Sequence, residues 1–152
     1  MIKVLEAPAV DTIISYEKKK LESNGKDPMD NELFSWEAPW RKESLDHYLP
    51  MGWSFCLWED GEYSSLKGYF IAQPLVFYSG WTQSLWVEHV SFNNAEIGHE
   101  LLDLAYRTAR SKHFQKMFIQ NLDPSIKLLD KWKPKKISDN VTEFTTAKIT
   151  EK

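Results

Sequence analysis

The stretch LWVEHVSFNNAEIGHELLDLAYRTARSKHFQKMFIQNLDPSIKLLDKW, residues 85–132, decides the fold. Its opening is rich in β-branched and aromatic residues and predicts a strand over 84–92. From Asn93 the period changes, with Ile97, Leu101, Leu104, Ala105 and Thr108 recurring on one helical face. Asn93 as N-cap with Glu96 three residues on supplies the start signal, and Lys112 and His113 suit the negative end of the helix dipole. Residues 116–120 then read as a strand. Asp123, followed by Pro124 at the first helical position, opens a short helix reaching Trp132.

Upstream, residues 2–5 alternate as a short strand that Pro8 interrupts. Asp11 caps a helix through Ile13, Ile14 and residues 17–21, which Asn24-Gly25 stops. Residues 26–40 carry two prolines and read as irregular or partly helical, and 41–49 as a short helix ended by Pro50 and Gly52. Two strands follow over 53–58 and 66–78, joined through a turn at 59–62, with Gly80 closing the second. Pro74 argues for a bulge or an edge, because proline donates nothing to a ladder. Downstream, two more strands are expected around Ile137 and over 141–149. No repeat or low-complexity tract interrupts the chain.

The 152 residues are 42% hydrophobic and 27% charged, which fits one globular domain over 1–152 with a full core. A formal charge of −3, from 19 basic and 22 acidic residues, lacks the electrostatic footprint of a general nucleic-acid binder. The one cysteine, Cys56, excludes an intramolecular disulfide and a thiolate-rich zinc site. His47, His99 and His113 show no metal-ligand spacing with carboxylates, so no metal is expected. Neither a signal peptide nor a membrane span is readable, and a soluble cytoplasmic protein is the expectation.

The order of strand, helix, helix, three strands, long helix, strand, short helix and two strands resembles the GNAT N-acetyltransferase superfamily over nearly the whole chain. The resemblance implies a mixed α/β fold with a mostly antiparallel central sheet and helices on both faces. It also implies acetyl-CoA or another acyl-CoA as cofactor, and transfer of its acyl group to an amine on a small molecule or peptide. The family's loop between fourth strand and long helix is Arg-Gly-x-Gly-x-Gly/Ala, whose backbone N–H groups hold a pyrophosphate at a helix N-terminus. Here that loop corresponds to Asn93-Asn94-Ala95-Glu96-Ile97-Gly98, in which only the last glycine survives. A carboxylate at Glu96, about 6 Å from a phosphate, would oppose binding by roughly 1–3 kcal/mol. The family's proton-donating tyrosine in the fourth helix corresponds to Leu129, which cannot donate. Its frequent asparagine near the end of the fifth strand is set against Asn121.

The resemblance therefore implies cofactor contacts from Val90, through its backbone, and from Asn93, Asn94, Ala95, Ile97, Gly98 and Asn121. Glu88 and His89 are the general-base candidates. Strand alternation sets them on opposite faces, so only one can meet a given cleft. Glu88 is favoured by analogy with the family, and His89 by an ordinary pKa near 6.5. Most of the seven tryptophans belong to the core, while Trp36, Trp40 and Trp81, on loops, are candidates for an aromatic acceptor pocket. The Lys18-Lys19-Lys20 run reads as a solvated helix face. The competing expectation is a catalytically lapsed module that binds a small ligand or protein through this aromatic cleft. A homodimer, and self-association through exposed aromatics, stay open.

Overall fold

The computed structural model describes residues 2–59, 66–77, 82–123 and 134–146. The described strands are β1 (Ile2–Val4), β2 (Phe55–Trp58), β3 (Leu66–Phe77), β4 (Thr82–Phe92), β5 (Lys116–Gln120), β6 (Lys135–Lys136) and β7 (Val141–Thr145). The helices are α1 (Val10–Glu22), α2 (Pro28–Glu37), α3 (Lys42–Tyr48) and α4 (Ala95–Ser111). One sheet orders the strands β1-β2-β3-β4-β5-β7-β6. Every neighbouring pair is antiparallel except β4 with β5. A parallel pair needs a long crossover, and α4 supplies it. The mixed, mostly antiparallel sheet with helices on both faces is the expected architecture.

Two cores hold these layers together. Leu85 and Val87 of β4, Phe70 and Ala72 of β3, and Met117 and Ile119 of β5 pack beneath Leu101, Leu102 and Ala105 of α4. On the other face Tyr69, Ile71 and Cys56 meet Ile13 of α1 and Leu45 and Tyr48 of α3. Burial pushes the Cys56 thiol up to about 12. The inward stripe of α4 is Gly98, Leu101, Leu102, Ala105, Tyr106 and Ala109. It is turned slightly from the predicted one, leaving Leu104 and Thr108 only partly buried.

Gly68 of β3 lets α4 approach. A Cβ there would lie 2.8 Å from the Ser91 carbonyl oxygen and 2.9 Å from side-chain atoms of both Ile97 and Leu101. At its far end α4 closes with His113 in the left-handed region (φ 63°). The His113 N–H donates to the Arg110 carbonyl and the Phe114 N–H to the Ala109 carbonyl, the paired bonds of a Schellman ending.

Several sequence expectations change. The N-cap of α4 is Asn94, whose side chain accepts from the Ile97 N–H, so Glu96 sits one position earlier than a capping box requires. Asn93 instead accepts from the Tyr16 hydroxyl at 2.7 Å. Ala9, not Asp11, precedes α1, which a 3-10 turn over Ala7–Ala9 leads into. The segment read as irregular or partly helical does hold a helix, α2, with Pro28 in its first turn and the Asp27 side chain accepting from the Met29 N–H. Pro74 lies beyond Phe70, where β2 no longer pairs with β3, so the free edge tolerates its missing donor. The helix expected over 124–132, with Leu129, and Trp81 lie outside the described residues, as does the end of the last expected strand.

Candidate functional site

The site is built on an irregularity in β4. Ile71 pairs with His89 while Ala72 pairs with Val87, so Glu88 is an extra residue with no partner on β3. Such a bulge resets side-chain alternation. Leu85, Val87 and Val90 face α4, whereas Trp86 joins the core under α1 and α3. Glu88 keeps that second face: its Oε2 accepts from Trp86 Nε1 at 2.7 Å and from the Tyr48 hydroxyl at 3.2 Å. His89 lies there too, 5.8 Å from the Tyr69 ring and 3.7 Å from Glu17. The expectation that Glu88 and His89 face opposite ways is therefore corrected.

Past the bulge the sheet opens. β4 pairs with β5 only through Ser84–Val87 against Lys116–Ile119, then runs on to Phe92 while β5 stops at Gln120. Asn121 turns away with φ 52°, its N–H donating to the Asn140 carbonyl at 2.6 Å. A cleft of about 910 Å³ occupies this gap. His89 and Val90 form one wall, Asn121 and Leu122 another, and Phe34, Pro39 and Trp40 close it from the α2–α3 side. Among the described residues, three carboxylates, Glu37, Asp123 and Asp139, line it against one ammonium, Lys136, so this part of the lining is predominantly acidic.

The remaining sequence candidates divide. Trp40 lines the cleft but is only 3% exposed, so it forms a wall more than a gripping surface. Trp36 is exposed and lines a separate, smaller groove with Arg41, its indole N–H directed at Glu32 on its own helix. At the start of α4, the Ile97 N–H is taken by Asn94 Oδ1 and the Gly98 N–H by the Asn94 carbonyl. Those two candidate anion donors are thereby occupied from within the helix.

Sequence reasoning missed the polar cluster behind His89. Glu17 falls on the inward stripe of α1 with Val10 and Ile13, and is 6% exposed. The Tyr69 hydroxyl donates to Glu17 Oε1 at 2.9 Å. Lys20 donates from Nζ to Ser91 Oγ at 2.9 Å and to the Phe92 carbonyl at 3.0 Å. Burial, the largest influence, pushes the Glu17 carboxyl up. Its contacts with His89 and Ser91 and the charges of His89 and Lys20 outweigh that and hold it below the usual carboxylate range. Burial, then the Glu17 charge, raises both the Tyr16 and Tyr69 phenols. The signal in the sequence was a glutamate three residues past Ile14 on an otherwise apolar stripe. Among the described residues no group of three His, Cys, Asp or Glu side chains converges as a metal site, and no helix is long and apolar enough to cross a membrane.

No protein-family model and no curated protein matches the sequence. Solved structures do match in shape. A GNAT-family acetyltransferase from Listeria monocytogenes superposes with a TM-score of 0.61 at 6% identity, covering 95% of this chain and 94% of its own. The NatC complex bound to Gag peptide and CoA contains a chain matching at 0.54 and 9% identity, over 95% and 97%. A ribosomal-protein-alanine N-acetyltransferase from Brucella melitensis matches at 0.53 and 14%, over 78% of each. With its strand order, its parallel β4–β5 pair and these neighbours, the chain has the fold of the GNAT acetyltransferases.

Proposed function

We propose that the protein transfers an acyl group from a pantetheine thioester, as carried by acyl-CoA, to an amine. The opening between β4 and β5 carries this reading. Beyond Val87, the backbone of β4 faces a gap and not a strand on the β5 side, and the amides of a pantetheine arm match such an edge. Val90, Asn121 and Leu122 would hold the arm. The fit is good at this end and poor at the diphosphate end, because Asn94 has taken the Ile97 and Gly98 donors and Glu96 adds a negative charge. When bound, the thioester supplies an activated acyl carbonyl.

The chain's own residues do the rest. The cleft's carboxylates draw in a cationic amine, and Phe34, Pro39 and Trp40 favour one with an apolar body. His89 lines the cleft and takes the proton that the amine must lose as its nitrogen attacks. A primary ammonium first releases one proton to solvent, which frees the lone pair that attacks; the new C–N bond then replaces the C–S bond, and the second proton, taken up by His89, passes to the departing thiolate, so charge and protons balance. Glu88, held by Trp86 and Tyr48, supports the wall beside His89.

A second reading, binding without turnover, is favoured by the Asn94 cap at the start of α4. One experiment separates them: acetyl-CoA is incubated with a panel of primary amines graded in apolar size, and free thiol and acetylated product are measured. The transferase reading expects product, greatest for aryl- or alkyl-amines of net positive charge. Binding of acetyl-CoA with no product from any amine would leave the second reading standing.

A further inference from the structure

Glu17 and His89 come from elements 72 positions apart in sequence, yet their side chains meet beneath the cleft floor. His89 Nε2 is fully enclosed and makes no hydrogen bond, although the side chain as a whole is 23% exposed. Glu17 Oε1 lies 3.7 Å from it, longer than a hydrogen bond but well within charge contact. Glu17 cannot easily turn elsewhere, because the Tyr69 hydroxyl donates to the same oxygen and the carboxylate is buried on the inner side of α1. An acceptor-only group facing one ring nitrogen selects the tautomer that carries its proton there.

We propose that Glu17 is a positioning residue that holds the His89 proton on Nε2, so that Nδ1 is the nitrogen that receives a proton in the cleft. The catalytic use of Nδ1 rests on the acyl-transfer reading above; the tautomer does not. When Nδ1 takes the amine's proton, the imidazolium gains a short-range carboxylate partner, its Nε2–H turned towards Glu17. Tyr69 then fixes the carboxylate as Glu17 fixes the ring. The other groups around His89 are engaged elsewhere or line the cleft. Lys20 on α1 is engaged with Ser91 and Phe92, and Tyr69 on β3 presents a neutral ring. Glu88 on β4 is tied to Trp86 and Tyr48, while Glu37, Asp123, Asp139 and Lys136 line the cleft mouth.

The test is nitrogen-15 NMR of the histidine-labelled protein, with the His89 signals assigned by loss in His89→Gln. The neutral ring of the wild type is expected to show a protonated Nε2 and an unprotonated Nδ1. In Glu17→Gln, whose amide can donate to the ring as well as accept from it, the ratio of Nε2-protonated to Nδ1-protonated neutral ring should fall severalfold. Tyr69→Phe, which spares the carboxylate, should keep the Nε2–H tautomer and serves if Glu17→Gln does not fold. If the protein turns over an amine, Glu17→Gln should lower kcat while KM for the amine is unchanged. A wild-type ring protonated on Nδ1, or a tautomer ratio unmoved in Glu17→Gln, overturns the proposal. If Glu17→Gln does not fold, loss of the Nε2–H tautomer in Tyr69→Phe overturns it too. Because the NMR reading needs no turnover, a protein without transferase activity but with the Nε2–H tautomer would refute the acyl-transfer reading alone.

Discussion

Glu88 and His89, consecutive in β4, lie on the same face of the sheet because Glu88 is the unpaired residue of a bulge opposite the Ile71–Ala72 step. The bulge brings the imidazole to the cleft and leaves the carboxylate bound to Trp86 and Tyr48. The two side chains thereby have separable roles.

This separation predicts unequal effects on turnover. Removing a general base costs about 10²–10⁴-fold. His89→Gln should lower kcat in that range, with the Kd for acetyl-CoA held within a few-fold. Glu88→Gln keeps an acceptor for Trp86 and should lose less than tenfold. Steady-state rates on the best amine decide it, and the reverse order would move the base to Glu88.

Much of this architecture was legible in the sequence. The periodic segments gave α4 and β5 nearly to their ends, because long apolar periods and compact strand runs are strong signals. The bulge was not read from the sequence, although Val87 and Val90 stand three apart with two polar residues between them, because only pairing with β3 shows which residue is extra. Asn93 and Asn94 are equally good caps locally. The bond from Tyr16 to Asn93, which takes the first of them out of competition, joins residues far apart in the chain. Glu17 keeps the helical spacing of Ile13 and Ile14, but only the seating of α1 against the sheet shows that its carboxylate is buried.

Gly68 offers a test of the packing that places the start of α4. Gly68→Ala sets a methyl against a backbone carbonyl and two α4 side chains, and only the side chains can yield. Overpacking of this kind costs about 1–3 kcal/mol. Denaturant unfolding should show a lower midpoint with unchanged slope; a neutral substitution would mean that α4 is not seated so closely.

Glu17 should also shape acid stability. A carboxyl held below its unfolded value of about 4.3 stabilises the fold fully above that pH, and the contribution is lost as pH falls through the lowered folded value. Unfolding curves at pH 7 and pH 3 should therefore show a larger loss in the wild type than in Glu17→Gln. Equal losses would remove Glu17 as a source of the acid limb.

Glu96 lies in the first turn of α4, the helix end at which the proposed function would seat a diphosphate. Removing its charge in Glu96→Gln should tighten acetyl-CoA severalfold to about a hundredfold, the range of one like charge near 6 Å. Acetyl-pantetheine, which has no phosphate, should bind the two proteins equally. Titration calorimetry with both ligands checks this, and equal gains for both would place the effect elsewhere.

The opening between β4 and β5 as a seat for a pantetheine thioester is tested most directly by thermal unfolding with acetyl-CoA and, separately, acetyl-pantetheine. A ligand at 100 times its Kd stabilises by about 2.7 kcal/mol. Both ligands at millimolar concentration should raise Tm by several degrees, with acetyl-pantetheine giving most of the effect, whereas adenosine 3′,5′-diphosphate should give little. No shift with either thioester, or a shift reproduced by the adenosine diphosphate alone, would contradict the account.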